Sequence, residues 1–145
     1  MKIYIDADGC PVVNIAVKLA KQFAIECIII CDTSHIIENE DAKTIMVSQG
    51  SDSVDFALVK LIQKGDIAIT QDYGLAAMCL ARGAVPISQD GMIYDDNNID
   101  ALLMQRHTSK KIRKAGGRFK GQAKRTQNQN TAFEDSLTKL LKKSV

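Results

Sequence analysis

The sequence is short of the residues that build a zinc centre. It has two histidines, and its four cysteines, Cys10, Cys27, Cys31 and Cys79, form no C-x-x-C pair. Zinc sites draw on closely spaced pairs of these residue types, so none is expected. Cys27 and Cys31 lie in an apolar stretch and read as core thiols. Long apolar runs are also missing. Ile28-Ile29-Ile30 falls far below the roughly 20 residues that cross a bilayer. The opening residues lack a basic segment followed by a long apolar one, so no secretory signal is expected and the cytoplasm is the expected location. Neither G-x-G-x-x-G nor a Walker sequence occurs, which argues against a nucleotide held in a glycine-rich phosphate loop. No internal repeat is visible.

What is present suits one globular unit. The 145 residues are 46% apolar and 25% charged, enough for a real core. The net charge of +2 hides a split: from Arg106 onward there are 12 Lys/Arg against 2 Asp/Glu, and before it 7 against 15. An acidic body, residues 1–105, is therefore followed by a basic extension, residues 106–145, packed on or tethered to it. Such an extension either meets a polyanion or folds back on the acidic body. Residues 109–130 are polar and basic, and read as extended or partly disordered when free. Thr131 to Leu141 reads as a last amphipathic helix with Phe133, Leu137, Leu140 and Leu141 on one face.

The body alternates strand and helix. Ile3-Tyr4-Ile5 runs into Asp6-Ala7-Asp8-Gly9-Cys10-Pro11 and an amphipathic stretch, Val12 to Phe23. Further strands read at Glu26–Cys31, Thr44–Val47, Asp66–Thr70 and Ala84–Ile87, with helices after Ser51 and from Gly74 to Arg82. This order gives a parallel sheet with helices on both faces. In such sheets ligands bind beyond the carboxyl ends of the strands. Asp6 and Asp72 both occupy that position. Asp6 and Asp8 can share a face if the strand extends far enough, and paired carboxylates invite a divalent cation. The alternative is that Asp8 caps the helix and Asp6 is a solvated strand end. Asp52 and Asp55 open the second helix, where the helix dipole favours acids. Cys10, at a helix start, could be a thiolate, although a nucleophile there needs a base.

Asp6-Ala7-Asp8-Gly9-Cys10-Pro11-Val12 resembles the opening motif of the YaiI/YqxD family of bacterial proteins, placed among PIN-like domains. The likeness continues through Gly50-x-Asp52-x-x-Asp55, Gly65-Asp66-Ile67-x-Ile69-Thr70-x-Asp72, Leu75-Ala76-Ala77 and Gly83-Ala84, and into Arg106, Arg113, Gly116, Gly121 and Phe133. It departs from the family pattern at Gly9, Gly74, Gln122 and Asn130 and keeps the acids. The resemblance implies a three-layer α/β/α sandwich with a parallel PIN-like sheet. It also implies a nuclease that cleaves phosphodiesters, with RNA as the expected substrate, at an acidic Mg²⁺ or Mn²⁺ site.

Carried over by position, the metal ligands would be Asp6, Asp52, Asp55 and Asp72, and the catalytic acids Asp6, Asp8 and Asp72. Ser51 and Thr70 would position phosphate or water. Arg106, Lys110, Lys111, Arg113 and Lys114 would grip the nucleic-acid backbone without reading sequence. Two other readings use the same residues. One is a nucleic-acid-binding module without turnover. The other is a haloacid-dehalogenase-type phosphatase, in which Asp6 attacks and Asp8 is the acid/base, although Gly9-Cys10-Pro11 departs from its usual sequel.

Overall fold

Four of the five strands are short apolar runs buried on both faces, and helices must then cover both sides of the sheet they form. The structure, a computed structural model, describes residues 1–34, 36–50, 52–105 and 124–144. Its elements run β1 (Lys2–Asp6), α1 (Val13–Gln22), β2 (Glu26–Asp32), β3 (Lys43–Val47), α2 (Ser53–Leu61), β4 (Ile67–Ile69), α3 (Tyr73–Ala81) and β5 (Val85–Ile87). Residues 99–105 are helical and make α4. The last helix, α5, is Gln127–Lys143. The five strands form one parallel sheet in the order β3-β2-β1-β4-β5. Chain order reverses beside β1, so β1 and β4 are neighbours, with Ile5 opposite Ile69.

Strand periodicity sorts the core into two layers. Ile3, Ile5, Ile29, Ile67 and Ile69 pack under α1 and α5. Tyr4, Ile28, Ile30 and Ala68 pack under α2 and α3, against Val54, Leu58, Leu75 and Cys79. The molecule is thus a three-layer α/β/α sandwich. No described helix is long and apolar enough to cross a membrane. Cys27 and Cys31 are buried core thiols, as the sequence suggests.

The last helix begins four residues earlier than its apolar pattern predicts. Gln127 to Asn130 carry no core side chains, but Thr126 and Gln129 form a reciprocal capping box that starts the helix before its apolar face begins. The expectation of extended chain therefore fails for residues 127–130; residues 106–123 lie outside the described set. Phe133, Leu137 and Leu141 are fully buried in the layer shared with α1. Gly91 permits the docking: its φ is +89°, and a Cβ there would stand 2.6 Å from the Ala132 carbonyl oxygen. Ser136 Oγ donates to the Gly91 carbonyl at 2.6 Å.

Candidate active site

β1 ends at Asp6, which shares strand parity with Tyr4 and so faces the α2/α3 layer. Thr70, just past β4, has the parity of Ala68 and faces the same layer. Because β1 and β4 are paired, the two side chains meet: Thr70 Oγ1 donates to Asp6 Oδ2 at 2.7 Å. The same oxygen accepts the Asp72 N–H at 3.0 Å. Thr70 is buried, and its carbonyl is fixed by the Tyr94 hydroxyl at 3.1 Å. Asp72 caps α3, its Oδ1 accepting the Leu75 N–H at 3.1 Å. Asp55 lies in the first turn of α2, within electrostatic reach of Asp72 and Asp6. Sheet edge and two helix starts thus place Asp6, Thr70, Asp72 and Asp55 at one edge of the molecule.

Their titration reflects this crowding. Burial raises the Asp6 pKa, the Thr70 hydrogen bond opposes that shift, and the charges of Asp72 and Asp8 add to it. Asp55 is pushed up to about 7, first by burial and then by the charges of Asp72, Asp6 and Asp52.

Two recesses are lined by consecutive parts of the 70–72 segment, Thr70 and Gln71 in one and Asp72 in the other. One, of ≈ 60 Å³, is lined by Asp6, Asp8, Cys10, Thr70, Gln71 and Gln89, among others. The second, of ≈ 200 Å³, is lined by Asp52, Asp55, Phe56, Asp72, Leu75 and Met78, with Gly74. Asp6 and Asp8 therefore border one recess although β1 stops at Asp6. Among the described residues, no three of His, Cys, Asp and Glu stand close enough to hold a metal ion.

Several expectations need correcting. Asp8 does not cap α1: the N-cap is Val12, with no side-chain bond, and Asp8 Oδ1 accepts the Asp32 N–H at a long 3.4 Å. Pro11 accordingly lies two residues before the helix. Asp52 is the N-cap of α2 but makes no side-chain cap, and its backbone is left-handed at φ +68°. Burial raises the Cys10 thiol pKa, which removes the basis for a reactive thiolate. Asp90 pairs with Arg125 at 2.8 Å and so anchors the C-terminal segment. Ser51 and the basic set Arg106, Lys110, Lys111, Arg113 and Lys114 lie outside the described residues.

Sequence reasoning missed Gln71, Gln89 and Arg125. The Gln89 N–H donates to Gln71 Oε1 at 2.8 Å. Arg125 donates to the Gln89 carbonyl at 2.6 Å, to Asp90 Oδ1 at 2.8 Å and to Asn130 Oδ1 at 2.7 Å. One arginine fork thus ties the start of α5 to the β5 turn beside the smaller recess. The Asn130 amide oxygen is the acceptor here, a role no arginine or lysine side chain could fill.

The fold is a doubly wound α/β sandwich with carboxylates at the carboxyl edge of its parallel sheet, the edge where ligands bind in such sheets. The chain belongs to the family described as "Uncharacterized BCR, YaiI/YqxD family", whose model matches residues 4–143. It is 49% identical over 141 residues to a UPF0178 protein of Exiguobacterium sibiricum, covering 97% of this chain and 96% of the relative. A UPF0178 protein of Ruminiclostridium cellulolyticum is 47% identical over 142 residues, 98% and 93% of the two chains. One from Clostridium acetobutylicum is 44% identical over 143 residues, 97% of each. No solved structure matches the chain significantly.

Proposed function

We propose that this protein is a metal-dependent phosphodiesterase acting on nucleic acid, with RNA as its substrate. One observation carries the reading: the Thr70 hydroxyl links the Asp6 carboxylate to the Asp72 amide, and the charges of Asp6 and Asp72 act on Asp55 at the same edge of the sheet. Partly buried carboxylates within reach of one another's charge favour either a proton or a cation.

The donor set suits Mg²⁺ or Mn²⁺, being oxygen throughout. Among the described residues no three such donors stand together, so an ion here would be held by one or two carboxylates and water, as Mg²⁺ commonly is. Asp55 and Asp72 would hold it, with Asp6 acting through water. When bound, the ion would lower the pKa of a water and stabilise charge on the phosphate. Thr70 holds Asp6 in place with a hydrogen bond that opposes the upward pull of burial on its pKa, and Asp6 would orient a water. The Asp72 cap fixes its carboxylate against α3, so it does not move as charge builds up. Arg106, Lys110, Lys111, Arg113 and Lys114 are proposed as phosphate contacts.

A module that binds nucleic acid without cleaving it is the second reading, favoured by the lack of three converging ligands among the described residues. Incubating the full chain with a mixed single-stranded RNA pool and Mn²⁺ separates the two. Cleavage lost in both Asp6→Asn and Asp72→Asn, with Mn²⁺ affinity weakened in Asp72→Asn, is the expected result. Salt-sensitive binding without cleavage in any divalent metal would establish the second reading. Turnover of a small phosphate monoester with a trapped aspartyl-phosphate would overturn both in favour of a phosphatase.

A further inference from the structure

The larger recess holds more than acids. Phe56 is 63% exposed and Met78 37% exposed, and both line it beside Asp52, Asp55 and Asp72. Neither serves the core. On α2 the buried residues are Val54 and Leu58, so Phe56 stands away from the inward stripe. On α3 they are Leu75, Ala76 and Cys79. A single exposed apolar side chain needs no explanation, but an aromatic ring and a thioether bordering one acidic recess form a definite chemical surface. Both are flat or pliable, polarisable and uncharged.

Resting on the phosphodiesterase reading, we propose that Phe56 is the stacking platform for one unpaired base of the substrate, with Met78 bordering it, and that this selects single-stranded over duplex nucleic acid. The acids repel a phosphate without a cation, but they do not repel the neutral face of a base. Asp72 lines this recess while its own amide is bound to Thr70 in the other, so a base on Phe56 lies next to the acid cluster. At ≈ 200 Å³ the recess is smaller than the roughly 300–1,000 Å³ that encloses a drug-sized ligand, and suits a single ring system at the end of a longer contact. In a duplex both faces of a base are already stacked, so occupying the platform would require extruding it. Stacking tolerates any base, so the selection is for strandedness and not for sequence.

The test uses the full chain and a fluorescein-labelled single-stranded RNA decamer, with a fully paired hairpin containing the decamer sequence and closed by a non-nucleotide linker as control, read by anisotropy in EDTA at low salt, alongside cleavage in Mn²⁺. Phe56→Ala should weaken decamer binding about 5- to 100-fold, the range for one lost stack. Phe56→Trp should retain it, and hairpin affinity should not change in either variant. The melting temperature of Phe56→Ala should stay at the wild-type value, because the ring is outside the core. If wild type cleaves RNA and Phe56→Ala binds and cleaves like wild type, the stacking proposal fails and the phosphodiesterase stands. Equal loss on decamer and hairpin also refutes it. If wild type neither binds nor cleaves any nucleic acid, the functional reading fails and takes the platform with it.

Discussion

Replacing Asp55 with Asn should make the metal-free protein more stable, although it removes a side chain from the candidate site. The folded protein holds the Asp55 pKa at about 7, against an ordinary value of 3.8. Between those values the unfolded chain has released its proton and the folded chain has not. The stabilisation linked to that proton is complete below pH 3.8 and is lost as pH rises through about 7. At about 1.36 kcal/mol per pH unit, the full window amounts to about 4 kcal/mol. Asp55 is only half-buried, so screening by water leaves a third to a half of that, about 1.5–2 kcal/mol. Asn has the shape of the neutral acid and never becomes charged, so it should escape the loss. For a chain of this length that corresponds to about 6–8 °C in melting temperature. Melting curves in EDTA from pH 4 to 9 should show wild type and Asp55→Asn together at pH 4, parting through pH 4–7 and parallel above. Adding Mn²⁺ should close the gap by stabilising wild type alone. A variant less stable than wild type at pH 8, or a gap independent of pH, would refute the account of the crowded carboxylates.

Thr70→Val keeps the side-chain shape but strips Asp6 and the Asp72 amide of their shared partner, and should cost about 1–3 kcal/mol in urea denaturation. It should also raise the Asp6 pKa further, visible by carboxyl NMR, because the lost hydrogen bond is the one that lowers it. Gly91→Ala pushes a methyl group into the Ala132 carbonyl at a backbone angle that alanine disfavours. It should cost about 2–4 kcal/mol and make the chain before α5 more sensitive to protease than it is in wild type.

Much of the sandwich was legible because buried parallel strands read as unbroken apolar runs, and Glu26–Asp32 is such a run. Asp6 and Asp72 were legible for the same reason, since a strand's end marks the ligand edge. The local geometry of the other acids was not. Asp8 bonds to the amide of Asp32, 24 residues away, where sequence proximity suggested the neighbouring helix. Asp52 adopts a left-handed backbone that sequence pattern does not mark. The four added residues at the start of α5 depend on a capping pair, Thr126 and Gln129, which apolar periodicity ignores. Phe56 reads as one more apolar residue of an amphipathic helix until the fold places Val54 and Leu58 inward and leaves the ring outside.

The docking of α5 changes what kind of object the basic segment is. Its far end is fixed by Phe133, Leu137 and Leu141 in the core and by the Arg125 fork at the β5 turn. Its near end leaves from α4, where Ile99 is buried with Ala76 and Tyr94 of the body. The chain that joins these two ends is therefore anchored to the body on both sides. The phosphate contacts proposed for its basic side chains would then add to binding at the acid edge as an effective concentration set by the tether, in the millimolar range for short linkers.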